Sequence, residues 1–252
     1  MKIYRFVHDG MPAIAVADGE HLVRYSGRDA LNLGDRTDDE PVLIATATLL
    51  PPVLPSKIVC VGRNYAEHAK ELCNEAPPEP ILFLKPPSAL LPPNGTIARP
   101  PQSQRVDYEG ELVLVFGKEA KNVARDAWRD VVFGFACGND VTARDLQKKD
   151  VQFTRAKGFD TFCPIGPCIE TELDPAALHI ATRVNGATKQ DGNTSQMVFD
   201  CGVLVEFVTS IMTMLPGDVI FTGTPAGVGP LAAGDVVEVE VEGIGTLRNA
   251  VQ

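Results

Sequence analysis

Short apolar runs separated by turn-forming residues recur along most of the chain, a pattern typical of β-strands. Near the start, residues 3–6 and 13–16 are such runs, and a glycine turn follows each of them, at Asp9-Gly10 and Asp18-Gly19. Further strands are predicted at residues 57–61, 81–84, 111–116, 131–137, 178–184, 218–222 and 236–241.

Three segments have helical features. Residues 65–73 are rich in helix formers, and residues 147–155 are polar enough for an exposed helix. Residues 202–215 place their apolar side chains on one helical face, and Pro216-Gly217 is expected to end that helix. Many strands, few helices and no regular alternation of the two argue against a doubly wound parallel sheet. The pattern therefore predicts a β-rich α+β fold.

A cluster of prolines, Pro51, Pro52 and Pro55, marks a predicted junction near residue 54. Residues 1–54 are predicted to form a small N-terminal accessory domain. Residues 55–252 are predicted to form the main domain, and they contain the side chains suited to chemistry.

Composition narrows the class of protein. The chain has 252 residues, of which 44% are hydrophobic and 22% charged, enough for a substantial core. A net charge of -10 without any basic cluster argues against a nucleic-acid partner. No apolar segment has the length of a signal peptide or membrane span, so no membrane partner is expected. The six cysteines form no C-x-x-C pair and favour reduced thiols in the cytoplasm.

Three acidic residues have a spacing that suits a hard divalent cation. Strand alternation places Glu109 and Glu111 on one face, with Gly110 on the other. Asp140 follows a buried strand at a sharp turn, a place where binding sites often lie. Oxygen ligands without a nearby Cys-His set favour Mg²⁺ or Mn²⁺ over zinc. An ordinary solvated strand end has the same spacing, so spacing alone leaves both interpretations open.

A second candidate group consists of His68 and Glu71, three residues apart on a predicted helix. A histidine oriented by a carboxylate can act as a general base, although an exposed helix turn would look the same. Lys157 precedes a proline-containing loop, where surface solvation is the ordinary expectation. The glycine-rich segment Gly223-Thr224-Pro225-Ala226-Gly227-Val228-Gly229 lacks the dinucleotide-binding spacing. It could present backbone N–H groups to an anion, or form an ordinary turn.

Six motifs in a fixed order resemble the fumarylacetoacetate hydrolase family from about residue 55 to the C-terminus. They are Val61-Gly62-Arg63-Asn64-Tyr65-Ala66-Glu67-His68, Phe83-Leu84-Lys85-Pro86, Asp107-Tyr108-Glu109-Gly110-Glu111, Gly138-Asn139-Asp140-Val141-Thr142-Ala143-Arg144-Asp145, Lys157-Gly158-Phe159-Asp160 and Thr222-Gly223-Thr224-Pro225-Ala226-Gly227-Val228-Gly229. The resemblance implies a mixed β-sandwich roll, usually a homodimer.

The resemblance also implies roles for particular residues. Glu109, Glu111 and Asp140 match the family's ligands for Mg²⁺ or Mn²⁺. His68 and Glu71 match a catalytic dyad on a lid-like segment, and Lys157 matches an active-site lysine. The positions that match substrate contacts in the family are Arg63, Tyr65, Gln147 and Thr224.

Several reactions fit this set of residues. The favoured hypothesis is hydrolysis of a C–C bond in a small β-dicarbonyl acid of the acylpyruvate or fumarylpyruvate type. His68 would activate the attacking water, and the ion and Lys157 would stabilise the pyruvate enolate that leaves. The alternatives are isomerisation of a 5-carboxymethyl-2-hydroxymuconate or 2-hydroxyhepta-2,4-diene-1,7-dioate type of acid, and decarboxylation of oxaloacetate. A catalytically silent binding domain is a further alternative, although every metal ligand and His68 are present.

Overall fold

The computed structural model describes residues 1–71, 73 and 75–252, and its architecture is built mainly from strands. In chain order the strands are β1 Lys2–His8, β2 Met11–Asp18, β3 His21–Tyr25, β4 Val42–Leu43, β5 Leu49–Leu50, β6 Ile58–Gly62, β7 Ile81–Lys85, β8 Leu90–Leu91, β9 Thr96–Ile97, β10 Val106–Tyr108, β11 Gly110–Phe116, β12 Val132–Asn139, β13 Thr142–Ala143, β14 Cys163–Glu170, β15 His179–Val184, β16 Ala187–Asn193, β17 Val219–Phe221, β18 Gly229–Pro230, β19 Val236–Val241 and β20 Gly245–Val251. The predicted β-rich α+β fold is confirmed.

The helices are short and lie between the strands. The α-helices are α1 Ala66–Glu71, α2 Arg144–Lys149, α3 Thr154–Lys157 and α4 Cys201–Ile211. Turns of 3₁₀ helix span Ile44–Thr46, Pro87–Ala89, Arg125–Asp130, Pro175–Ala177 and Thr194–Gln196. Within the described residues, no helix has both the length and the apolar character needed to cross a membrane.

Three sheets make up the β-structure. A twelve-stranded sheet has the order β4-β3-β2-β1-β14-β12-β11-β17-β6-β7, with β5 on β1 and β8 on β14. A five-stranded sheet has the order β16-β15-β19-β20-β9, and a small sheet has the order β13-β10-β18. Strand β11 lies between β12 and β17 and is buried along its whole length. Both faces of a strand in this position must be covered, which explains its nearly continuous apolar sequence.

Alternation along β11 divides its side chains between two apolar clusters. Leu112 and Leu114 pack in a cluster that includes Val239 of the five-stranded sheet. Val113 and Val115 belong to a second cluster on the opposite face. The two larger sheets therefore pack face to face at β11, as the predicted sandwich requires.

The N-terminal strands extend the large sheet. The predicted strands at residues 3–6 and 13–16 are confirmed as parts of β1 and β2, which pair from Ile3↔Val16 to His8↔Met11. Strand β1 also pairs with β14, through Lys2↔Glu170 and Ile3↔Ile169. The domain boundary near residue 54 stays a prediction.

Two helix predictions are wrong in extent. The predicted exposed helix at residues 147–155 is instead the end of α2, a bend and the start of α3. The apolar helix ends at Ile211, because Met212 is extended and Met214 forms a bridge with Ala120. Within the predicted helix at residues 65–73, Leu72 lies outside the described residues, and so does Asn74 just after it.

Candidate metal centre and active site

The face of β11 that carries Val113 and Val115 changes from apolar to acidic at the start of the strand. Glu111 is paired with Gly138 of β12, so Asp140, directly after the end of β12, lies beside Glu109. The backbone N–H of Asp140 donates to the carbonyl oxygen of Glu109 at 2.8 Å. One carboxylate oxygen from each of Glu109, Glu111 and Asp140 lies within 4.8 Å of the others, and all three residues are buried. The structure thus brings together the three predicted metal ligands.

Gly110 faces away from this cluster, toward the five-stranded sheet. The residue is glycine because that sheet leaves no room for a side chain. A Cβ atom at residue 110 would lie 2.1 Å from Thr182 Oγ1 and 3.3 Å from Gln190 Oε1. Close approach of the two sheets therefore fixes the strand segment that carries both glutamates.

We expect Gly110→Ala to lower the free energy of unfolding by about 1–3 kcal/mol, the usual cost of overpacking a core. The new methyl group must push the two sheets apart. Thermal unfolding of the purified variant measures this effect. Gly186→Ala is the control, since a Cβ atom there meets no atom within 4 Å although its φ of +77° disfavours a side chain. An unfolding temperature for Gly110→Ala equal to or above that of the control would contradict the expectation.

Three cationic side chains contact the carboxylates. Lys157 Nζ donates to Glu109 Oε2 at 2.7 Å and to Asp140 Oδ2 at 2.6 Å. Lys85 Nζ donates to Asp140 Oδ1 at 2.5 Å, and the guanidinium of Arg144 donates to Glu109 Oε1. Lys157 is therefore buried in the site, contrary to the ordinary expectation of surface solvation. The contacts of Lys85 and Arg144 were missed, although a lysine at the end of the apolar strand β7 was an available signal.

The positive charges are unevenly shared among the carboxylates. Burial raises the pKa of Glu109, but Lys157 and Arg144 outweigh it and hold this pKa well below its usual range. Burial, together with the charges of Asp140 and Glu109, raises the pKa of Glu111 well above its usual range. Burial also lowers the pKa of Lys157, but Asp140 and Glu109 outweigh it, so the ammonium form is favoured.

Glu111 is therefore the carboxylate that lacks a compensating cation. Its Oε2 accepts a hydrogen bond from the backbone N–H of Gly223 at 2.7 Å. No ammonium or guanidinium group of the described residues forms an ion pair with it. Buried charges need a partner, and a divalent cation with oxygen ligands would supply one. The residues present thus fit a metal ion of the Mg²⁺ or Mn²⁺ type.

The predicted dyad lies on α1. His68 Nδ1 is 3.3 Å from Glu71 Oε2, and Glu71 also accepts from the backbone N–H of Gly227 at 3.2 Å. Because a carboxylate only accepts, this contact places the proton on Nδ1 and leaves Nε2 free to accept another. Burial lowers the pKa of His68, although Glu109 and Glu71 act in the opposite direction. The lowered pKa favours the neutral imidazole, the form that can act as a base.

The glycine-rich segment connects the dyad with the carboxylate cluster. The sequence left open whether this segment presents backbone N–H groups to an anion or forms an ordinary turn. In the structure its N–H groups donate to carboxylates of the protein itself. Gly223 donates to Glu111 and Gly227 donates to Glu71. Residues 222–227, which we call the anchor loop, thus hold one residue of each functional group.

A cavity of about 500 Å³ opens over these groups. Besides the carboxylates, the dyad and Lys157, the predicted substrate-binding residues Arg63, Gln147 and Thr224 line it. Tyr65 does not, because its side chain is buried and borders a different cleft. Lining residues to which the sequence analysis gave no role include Phe83, Arg105, Arg144, Lys148 and Phe153.

The fold and the buried acidic cluster define a class of metal-dependent enzymes. The family model "Fumarylacetoacetate (FAA) hydrolase C-terminal" matches residues 57–252, and the chain belongs to this family. The N-terminal strands β1–β5 lie outside the matched region.

Relatives of the chain bear the names of different reactions. The crystal structure of 5-carboxymethyl-2-hydroxymuconate delta-isomerase from Mycobacterium smegmatis is 43% identical, with a TM-score of 0.90 over 100% of this chain and 99% of that one. Oxaloacetate tautomerase FAHD2A, mitochondrial, of Homo sapiens is 46% identical over 218 residues, 81% of this chain and 69% of that protein. Maleylpyruvate hydrolase from Sphingobium sp. SYK-6 is 30% identical, with a TM-score of 0.81 over 100% of this chain and 99% of that one.

Proposed function

We propose that the protein catalyses metal-dependent proton transfer on a small 2-oxo dicarboxylic acid, as an isomerase or enol–keto tautomerase. The observation that carries this proposal is the buried imidazole of His68, held by Glu71, in one cavity with three converging carboxylates. A base beside a cation site is the minimum that enolate chemistry needs. The sequence analysis favoured hydrolysis. The relatives named isomerase and tautomerase, at 43% and 46% identity, support proton transfer instead.

Each residue of the site has a separate role in the proposed reaction. When bound, a divalent ion held by Glu109, Glu111 and Asp140 supplies a Lewis acid that polarises the 2-oxo group. Nε2 of His68 takes the proton from one atom of the substrate and returns it to another, so no bond to water is formed. Glu71 holds the Nδ1–H and stabilises the imidazolium that exists between the two transfers. Lys157 donates hydrogen bonds to Glu109 and Asp140 and so holds these two carboxylates in position.

The cavity wall indicates the chemical class of the substrate. Arg63 and Lys148 line the cavity in addition to the cations that contact the acidic cluster, whereas Arg105, also in the lining, is already paired with Asp107. Arg63 and Lys148 form no ion pair among the described residues. They suit a second carboxylate, remote from the 2-oxo acid group. Phe83 and Phe153 line the same cavity with their ring centroids 5.6 Å apart and supply an apolar wall for the carbon chain between the two ends. A volume of about 500 Å³ is in the usual range for a small-molecule site.

We expect Arg63→Gln to raise the KM for a 2-oxo dicarboxylic acid about tenfold, the usual contribution of a charge-assisted hydrogen bond. The KM for a 2-oxo acid without the second carboxylate should change little. Steady-state kinetics with both acids measures the difference. Lys70→Gln is the control, because Lys70 is exposed and pairs with Glu67. Equal changes of KM for the two acids would mean that Arg63 does not recognise the second carboxylate.

Hydrolysis of a C–C bond is the second candidate function. The same neutral imidazole can deprotonate water, and Glu71 would hold it in the same way. The similarity to maleylpyruvate hydrolase supports this candidate at lower identity.

One set of assays separates the candidates. Protein loaded with Mg²⁺ or Mn²⁺ is given the enol form of oxaloacetate, 5-carboxymethyl-2-hydroxymuconate and maleylpyruvate, and the loss of enol or diene absorbance, pyruvate and CO₂ are measured. We expect rapid change of the enol or diene without pyruvate or CO₂. Pyruvate formed from maleylpyruvate at the highest rate would establish the hydrolase, and rapid CO₂ release the decarboxylase. Bound metal without turnover of any acid would indicate the silent binding domain.

A further inference from the structure

We infer that Gln190 is a positioning residue that fastens the anchor loop to β11 and so holds both the carboxylate cluster and the dyad in place. Its effect on turnover rests on the proposed function, but its effect on the structure of the site does not. Gln190 lies on β16, in the five-stranded sheet, and touches neither the cavity nor the acidic cluster.

The carboxamide of Gln190 joins the two elements through both of its ends. Its Nε2 donates to Thr224 Oγ1 at 2.7 Å and to the carbonyl oxygen of Pro225 at 2.8 Å. Its Oε1 accepts from the backbone N–H of Gly110 at 2.9 Å. Thr224 Oγ1 in turn donates to the carbonyl oxygen of Gly110 at 2.8 Å. One side chain thus binds the loop and the residue between Glu109 and Glu111.

A β-bulge in β16 directs the side chain of Gln190 toward Gly110 and the anchor loop. The pairing with β15 shifts between Thr182↔Gln190 and Arg183↔Thr188, so Lys189 is an extra residue in β16. Such a bulge redirects the neighbouring side chains of a strand. The anchor loop packs directly against the bulge, since a Cβ atom at residue 227 would lie 2.2 Å from the carbonyl oxygen of Lys189.

Burial of the Gln190 carboxamide costs free energy unless its hydrogen bonds are formed. The side chain is fully buried in a strand whose other residues are mostly exposed and polar. A buried amide is tolerated only where its donors and acceptor are satisfied, and here each of them is. The partners are the elements that hold Glu111 through Gly223 and Glu71 through Gly227. Loss of the carboxamide should therefore loosen both groups together.

Thr182 offers a closely matched control. It is the strand partner of Gln190, is also fully buried and also faces Gly110. Its Oγ1 has no hydrogen-bond partner among the described residues. Thr182→Val therefore changes the same part of the core while removing no hydrogen bond, whereas Gln190→Met removes the hydrogen bonds and nearly preserves the volume.

The experiment compares Gln190→Met with Thr182→Val in the full chain, by amide hydrogen exchange and by calorimetric binding of Mn²⁺. We expect exchange in residues 222–228 to become at least about tenfold faster in Gln190→Met, because each lost hydrogen bond contributes to holding the loop closed. Mn²⁺ affinity should fall by about tenfold or more, and Thr182→Val should behave like the wild type in both respects. Exchange and affinity that are the same in the two variants would overturn the inference.

A second pair of variants tests the other end of the same hydrogen bond, should Gln190→Met fail to fold. Thr224→Val removes the hydroxyl that links Gln190 to Gly110, and Thr224→Ser keeps it. Exchange in residues 222–228 should accelerate in Thr224→Val and stay near the wild-type rate in Thr224→Ser. Equal exchange in these two variants would also overturn the inference. Since none of these measurements uses a substrate, a wrong proposal for the reaction would leave their outcome unchanged.

Discussion

Replacing His68 with alanine is expected to lower the rate of isomerisation or tautomerisation by about 100- to 10,000-fold, the usual contribution of general acid–base catalysis. The variant keeps Glu109, Glu111 and Asp140, so it should still bind Mn²⁺ with the affinity of the wild type. Glu71→Ala should lower the rate less than His68→Ala does. Glu71 orients the imidazole and stabilises its protonated form, but it does not take the proton from the substrate. Steady-state kinetics and calorimetry on the same metal-loaded preparations measure these effects.

The pH dependence of the wild-type rate gives an independent check. His68 must be neutral to accept a proton, and its pKa is lowered from the ordinary value of 6.5 mainly by burial. The rate should therefore hold as the pH falls through 6.5 and decline only at lower pH. His68→Ala should lose this decline together with the activity. Undiminished activity in the His68→Ala variant would show that another group transfers the proton.

A second large effect is expected at Glu111, where Glu111→Gln should weaken Mn²⁺ binding by more than about 100-fold. Even residues that only support metal ligands cost 10- to 100-fold when they are replaced, and loss of a ligand should exceed that. Glutamine keeps the shape of the side chain and can accept the hydrogen bond from Gly223. Calorimetric titration with Mn²⁺ measures the affinity. Unchanged affinity would exclude Glu111 as a ligand.

Stability measurements distinguish a lost ligand from a damaged fold. Since the pKa of Glu111 is raised in the folded protein, ionisation of Glu111 destabilises the metal-free wild type as the pH rises above the ordinary value of 4.5. Glu111→Gln removes this cost, so the metal-free variant should be at least as stable as the wild type at neutral pH. Added Mn²⁺ should stabilise the wild type by about 2.7 kcal/mol at 100 times its dissociation constant, and the variant much less.

Local rules indicated the acidic cluster, and the family resemblance favoured its interpretation as a metal site over an ordinary strand end. Strand alternation placed Glu109 and Glu111 on one face, and the end of an apolar run placed Asp140 at a turn. The cations around them could not be predicted in the same way. Lys85 is 55 residues from Asp140 in sequence, and Arg144 is 35 residues from Glu109. The pairing of the strands brings Lys85 to Asp140, and the position of α2 directly after β13 brings Arg144 to Glu109.

The sequence analysis did not predict strands that lack the usual apolar run of a β-strand. Strand β14 contains Pro164, Gly166 and Pro167, residues typical of loops, but it lies within the large sheet between β1 and β12. Strand β16 is polar, and nothing in its sequence sets Gln190 apart from its exposed neighbours. The placement of Tyr65 away from the cavity also follows from packing, because the residue forms a bridge with Met197.

The pairing of β1 with β14 has a consequence for how this fold could be divided. A chain that began at Lys57 would lose the strand that pairs with Ile169 and Glu170 of β14 and would expose N–H and C=O groups there. An open strand of this kind is a template for association with other chains, and proteins usually protect it. Removal of Ile3 and Phe6 would also uncover apolar side chains in both clusters. Deletion of the N-terminal strands is therefore expected to promote association of the chain through the sheet that carries the acidic cluster.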